Sequence, residues 1–286
     1  LSEKFHLAYN LIYSREETFE FIPLTRPLLP ATRNMEFTVP DGIKTFHTKP
    51  YPLLDVTRPE LSTAGKVVLI TGGGSGLGLV FAEHFAKAGS KTIAITGRRQ
   101  NILEKAKQSV ESKYPGTKVL TLPGDVANRA AVDAAFENTK DTFGPVDILI
   151  NNAGFDPEYG LISEETSDDE WWRAFETNVK GSHNVLAAFV QGAAHDATVI
   201  NVTSATVNTV LSHQSAYSSS KVASTRLFEV FQLENPNYRV VNVAPGIVQT
   251  AMLDITLRFF EKQGWPQLPI DDSKFQNSKH AQSKTN

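Results

Sequence analysis

Tyr217 and Lys221 stand four residues apart in Tyr217-Ser218-Ser219-Ser220-Lys221, a spacing that puts two side chains on one helical face. A free phenol titrates at about 10 and is a poor acid–base catalyst at neutral pH. A neighbouring ammonium favours the phenolate and lowers that value toward a useful range. Lys221 could also bind ribose hydroxyls. Ser204 lies thirteen residues before Tyr217, just past a β-branched run. Its hydroxyl could polarise a carbonyl and steady the negative charge that develops on the oxygen. A lone Tyr-x-x-x-Lys pair is common on helix surfaces; with Ser204 upstream it describes proton delivery to a carbonyl being reduced.

Such a reduction needs a hydride source, and an earlier segment suits one. The run Thr71-Gly72-Gly73-Gly74-Ser75-Gly76-Leu77-Gly78 joins an apolar stretch to a helical pattern. Glycines at 72, 74, 76 and 78, with Ser75 and Leu77 between them, permit a tight turn and close approach of backbone to a pyrophosphate. The helix start then offers free N–H groups and a partial positive charge. At the end of the next strand, Ala94-Ile95-Thr96-Gly97-Arg98-Arg99 puts Gly97 where an acidic residue would accept from the ribose of NAD(H). Arg98 could instead pair with a 2′-phosphate, which favours NADP(H) and leaves NAD(H) possible. The alternative is that Arg98 and Arg99 are a solvated helix start. Asp125-Val126, after the third strand, could meet the adenine amino group, although an ordinary turn aspartate reads the same way.

Thr71-Gly-x-x-x-Gly76-x-Gly78, Asn151-Asn152-Ala153-Gly154, Asn178, Ser204, Tyr217-x-x-x-Lys221 and Pro245-Gly246 occur in that order. The series resembles the short-chain dehydrogenases/reductases over residues 60–250, and the lead-in Phe46–Leu61 is similar to fungal members. The resemblance implies that Tyr217 donates the proton and that Lys221 lowers its pKa and binds the ribose. It implies that Ser204 orients the carbonyl and that Asn178 bends its helix and holds a water relaying protons to Lys221. Asn152, Ala153 and Gly154 would pass beside the cofactor ribose. Pro245, Gly246, Ile247 and Thr250 would line the nicotinamide, with Thr250 reaching its carboxamide.

The elements needed to place these groups are legible as short β-branched runs alternating with helical periods. That pattern predicts an α/β fold, a doubly wound parallel sheet of the Rossmann kind. Strands are expected at Val67–Thr71, Thr92–Thr96, Lys118–Leu122, Val146–Asn151, Thr198–Thr203 and Arg239–Val243. Helices are expected at Leu77–Ala88, Arg99–Tyr114, Arg129–Phe143, Asp168–Gln191 and Gln214–Glu234. After Thr250 the pattern fades into Met252–Gly264, and a polar stretch follows. The family's seventh strand has no counterpart, so six strands with an exposed edge are expected. This leaves the helices holding Asn178 and Tyr217 as the expected homodimer interface.

Three regions follow: an N-terminal extension or extended arm over 1–61, a dinucleotide-binding oxidoreductase domain over 62–270, and a polar C-terminal tail over 271–286. Prolines at 40, 50, 52 and 59 support the extended arm. Met35 reads as the natural start, or residues 1–34 as an extension packed on the domain. A net charge of −3 gives no reason to expect a nucleic-acid partner. The absence of cysteine excludes disulfides and thiolate catalysis. No histidine or carboxylate cluster has metal-binding spacing, so no metal is expected. With no membrane-length apolar run and no secretory signal pattern, the expectation is a cytoplasmic protein. The substrate is expected to be a small carbonyl or alcohol compound. Phe155, Tyr159, Val210, Leu211, Met252 and Leu253 suggest a fairly apolar pocket. The alternative is a truncated family member that binds cofactor without catalysing a reaction.

Overall fold

The computed structural model describes residues 51–163 and 168–264. The expectations for residues 1–50 and for the polar tail lie outside them. Six parallel strands form one sheet in the order β3-β2-β1-β4-β5-β6. They are β1 (Val67–Thr71), β2 (Thr92–Gly97), β3 (Lys118–Pro123), β4 (Val146–Asn151), β5 (Ala193–Val202) and β6 (Arg239–Val243). All five residues of β1 are buried, as expected of a central parallel strand covered on both faces. Its alternate side chains enter two cores. Val68 and Ile70 pack with Ile93, Ile95, Leu103 and Val110 on one face. Leu69 packs with Leu149, Val185, Phe189 and Phe228 on the other.

The connecting helices are α1 (Gly76–Lys87), α2 (Gln100–Lys113), α3 (Arg129–Phe143), α4 (Asp168–Phe175), α5 (Gly181–Gly192), α6 (Ser215–Glu234) and α7 (Ala251–Lys262). Sequence order reverses between β1 and β4. The carboxyl ends of these strands therefore diverge into separate connections and leave a crevice, the usual ligand position in open α/β sheets. The glycine loop follows β1, and Asn152-Ala153-Gly154 follows β4.

Four expectations need correction. The single helix predicted over Asp168–Gln191 is divided, with a π-helical turn at Glu176–Lys180 between α4 and α5. Here Asn178 bonds outward to the chain after β4, and the Ser182 hydroxyl donates to the Asn178 carbonyl at 2.7 Å. Such a widened turn absorbs one extra residue and is frequent at functional sites. Strand β5 begins at Ala193, not Thr198, because Ala193 already pairs with Val146 before a register shift precedes the Ile148–Thr198 pair. The stretch after Thr250 is a helix, α7, whose start is capped by the Thr250 hydroxyl accepting from Leu253 N at 3.4 Å. Finally, Val210, expected in an apolar pocket, is 98% exposed.

Candidate active site

The turn after β1 is built so that side chains cannot occupy it. Gly72 has φ +65° and Gly76 φ +54°, backbone conformations that favour glycine. A Cβ on Gly78 would lie 2.2 Å from Gly72 O. The loop is pinned from the β4 side: Asn152 N and Ala153 N both donate to Thr71 Oγ1 at 2.9 Å, and Asn152 Nδ2 donates to Thr71 O at 2.9 Å. Ser75 makes no side-chain cap on α1. The first N–H groups of that helix thus have no capping side chain, which suits an incoming pyrophosphate. The cradle fits a dinucleotide.

Across the crevice, α6 presents Tyr217 and Lys221. Lys221 is buried, and its Nζ donates to Val202 O at 2.9 Å at the end of β5. Nζ lies 5.8 Å from the centroid of the Tyr217 ring. Ser204 follows β5, where its Oγ accepts from Thr206 N at 3.2 Å, and its hydroxyl also interacts with the Tyr217 phenol. Asn178 is buried and fully committed: its Oδ1 accepts from Phe155 N at 2.8 Å, while Nδ2 donates to Phe155 O and Ser220 Oγ, each at 2.9 Å. A Cβ on Gly154 would stand 3.5 Å from Asn178 Oδ1 and 3.6 Å from Lys221 Nζ. The chain after β4 therefore runs beside both groups.

The electrostatics depart from the sequence expectation. Burial, helped by the charge of Asp156, pushes the Tyr217 phenol up to about 12, and only contact with Ser204 opposes this. Lys221 is pushed down to about 8 by burial, with Asp156 acting the other way. No lysine-driven depression of the tyrosine acts beside these causes: burial dominates both groups. Asp156 was not singled out from sequence. It is 5% exposed, and burial raises it to about 7 against the lowering effects of Tyr159 and Lys221.

Residues 66–257 match the family described as short chain dehydrogenase. The chain belongs to the short-chain dehydrogenases/reductases. A short chain dehydrogenase of Monascus ruber, pigC, is 32% identical over 221 residues, covering 74% of this chain and 72% of the relative. Among solved structures, levodione reductase matches with a TM-score of 0.66 and 28% identity, covering 70% of this chain and 78% of that one. L-sorbose reductase from Gluconobacter frateurii, complexed with NADPH and L-sorbose, gives 0.64 and 30%, covering 71% and 78%. A short-chain dehydrogenase of Burkholderia phymatum in complex with NAD gives 0.62 and 28%, covering 68% and 69%. The family comprises NAD(P)-dependent oxidoreductases.

In this short-chain dehydrogenase the remaining sequence candidates are less uniformly placed. Arg98 is exposed at the carboxyl end of β2 and has no carboxylate partner among the described residues. Asp125 Oδ1 accepts from Ala127 N at 2.9 Å, the bond of an ordinary turn aspartate. The Val126 side chain belongs to the core, and its carbonyl accepts from Asn184 Nδ2 at 2.9 Å. Pro245, Gly246 and Ile247 lie in the irregular segment after β6, with Gly246 at φ +75°. Thr250 stands next to the glycine loop, its Cγ2 3.4 Å from a Cβ built on Gly76. Its hydroxyl caps α7 and keeps its proton for another acceptor. Tyr159, read from sequence as an apolar wall, is a hydrogen-bonding group: its hydroxyl meets Asp156 Oδ2 at 3.0 Å and Thr256 Oγ1 at 2.8 Å.

Proposed function

We propose that this chain is an NADPH-favouring carbonyl reductase of small substrates. The convergence of Ser204, Tyr217 and Lys221 beside the glycine cradle carries the reading. Gly72, Gly74, Ser75, Gly76, Leu77 and Gly78 would hold the pyrophosphate, and Asn152, Ala153 and Gly154 would flank the ribose. The segment Pro245–Thr250 would face the nicotinamide. When bound, the reduced cofactor supplies hydride to the carbonyl carbon. Ser204 donates to the carbonyl oxygen, and the Tyr217 proton completes the two-electron reduction to an alcohol. A phenol held near 12 is protonated across the neutral range, the form that donates to a carbonyl oxygen. Lys221 would bind ribose hydroxyls, and Asn178 would fix the chain at Phe155.

The cofactor preference rests on exposed Arg98 and on Gly97 in the acidic position. A homodimer rests on the α4–α6 face. Trp172 is 59% exposed there and Val230 41%, beside Phe175, Val179 and Leu227, with Glu176 and Arg226 at the margin. A patch carrying both charge signs around an apolar centre can complement a second copy of itself across a two-fold axis.

The test is titration of the protein with NADPH and NADH, followed by energy transfer from its tryptophans, then a carbonyl panel with wild type and Tyr217→Phe. Tighter NADPH binding, with turnover lost by at least ~100-fold in the variant, is expected. Binding without turnover by wild type would leave a cofactor-binding protein that does not catalyse the reaction.

A further inference from the structure

Helix α7 begins beside the glycine loop and is thinly supported. Among the described residues no strand and no other helix packs closely along it, and Phe259 is its one buried residue. The chain after β4 carries it instead. That segment is held at both ends: Asn178 clamps both polar groups of the Phe155 backbone, and Gly160 N donates to His213 O at 3.1 Å, just before α6. The Phe259 ring meets two others, Tyr159 at 5.2 Å and His213 at 5.0 Å between centroids. Arg258 and Glu158 stand 3.7 Å apart at the surface, both well exposed, an ion pair of little weight.

One hydrogen-bonded chain crosses this contact. Tyr159 donates its hydroxyl proton to Asp156 Oδ2 at 3.0 Å, so at 2.8 Å it accepts from Thr256 Oγ1. Thr256 lies three residues before Phe259, on the same helical face. The two contacts act differently. Apolar burial has no direction and lets a helix roll or slide; a hydrogen bond weakens once misaligned and so fixes register. Asp156 is 5% exposed, and burying a carboxylate is costly unless it is hydrogen-bonded. A phenylalanine at 159 would pack on Phe259 with no call for that carboxylate. Thr250 stands six residues before Thr256, about 9 Å along the helix axis, with its Cγ2 3.4 Å from a Cβ built on Gly76. On the other side, Gly154 passes Lys221, whose Nζ is 3.6 Å from its built Cβ. The Tyr159 hydroxyl thus ties together two segments that flank the crevice.

We propose that Tyr159 is a positioning residue, stapling α7 through Thr256 so that Thr250 is held against the glycine loop. This rests on the cofactor site of the reductase reading. Without the staple α7 would roll on Phe259, and returning it to place would draw on cofactor binding.

The experiment uses wild type, Tyr159→Phe, Thr256→Val, their double variant and Thr256→Ser. It reads NADPH affinity by energy transfer from tryptophan, with hydrogen exchange of the α7 amides alongside. One hydrogen bond sets the scale, so each single variant is expected to bind NADPH about fivefold more weakly. The double variant should lose no more than either, because both changes remove the same bond. Thr256→Ser keeps the hydroxyl and should bind as wild type does. The α7 amides should exchange faster in the first three variants, while those of β1 stay protected. Thr256→Val decides the matter if Tyr159→Phe does not fold. Unchanged NADPH affinity in both single variants overturns the proposal and leaves the reductase reading standing. Losses that multiply in the double variant also overturn it, as does a Thr256→Ser no better than Thr256→Val. If wild type binds no NADPH, the reductase reading falls and exchange decides the staple: α7 exchanging equally in wild type and variants overturns it.

Discussion

Gly78→Ala places a methyl group where the cofactor cradle closes on itself. Built on the existing backbone, its Cβ would lie 2.2 Å from Gly72 O and 2.8 Å from both Gly72 C and Asn152 Nδ2. Even a close carbon–oxygen contact sits at about 3.3 Å, so the turn must open by roughly 1 Å. The nearest atom, Gly72 O, is backbone and cannot swing aside as a side-chain end could. Opening the turn also pulls Asn152 from the Thr71 carbonyl it donates to at 2.9 Å. Overpacking plus a weakened buried hydrogen bond should cost about 2–4 kcal/mol, read from urea unfolding followed by tryptophan fluorescence. NADPH affinity should fall by at least about tenfold, because the same N–H groups would no longer converge. Gly116→Ala is the control: nothing lies within 4 Å of its Cβ, and a change below about 0.5 kcal/mol is expected. Gly78→Ala as stable as Gly116→Ala, with unchanged NADPH affinity, would refute this account of the loop.

Lys221→Met should remove activity yet stabilise the fold at neutral pH. Lys221 is lowered from 10.5 to about 8 in the folded chain, so the unfolded chain binds its proton more tightly. Below about pH 8 this costs on the order of 3 kcal/mol, and the cost fades as pH rises toward 10.5. The stability gap between variant and wild type should therefore narrow from pH 8 to 10. Parallel pH profiles from chemical denaturation would count against a charged buried lysine. Arg98→Ala should weaken NADPH binding by about tenfold while leaving NADH nearly unchanged; equal losses for both cofactors would remove Arg98 from the 2′-phosphate. Val230→Asp, on the exposed α6 face, should convert a dimer to monomer in sedimentation velocity, because a carboxylate would be desolvated in the apolar centre of the interface.

Much of this molecule was legible because the signals are local. Continuous β-branched runs between helical periods mark the strands of a parallel sheet, and β1, β4 and β6 begin and end where those runs do. Glycines at 72 and 76 announce a turn that other residues enter with strain. Tyr217 and Lys221 share a face because of helix geometry alone. One local signal was available but unused: Thr250 before Ile255 and Phe259 has the cap and spacing of α7.

What the tertiary structure decided are the quantities that depend on partners distant in the chain. Asp156 looks like any loop carboxylate until Asn178 and Thr256 enclose it from elsewhere in the sequence. The Tyr217 pKa likewise depends on burial, on that carboxylate and on contact with Ser204. Val210 and Tyr159, both expected to line an apolar pocket, differ from that, one standing in solvent and the other tied into a hydrogen-bonded chain. Residue types and spacing determined which chemistry was within reach. Burial and long-range contact decided how readily each group carries charge and which oxygen is left unpaired, because desolvation is a property of the assembled fold.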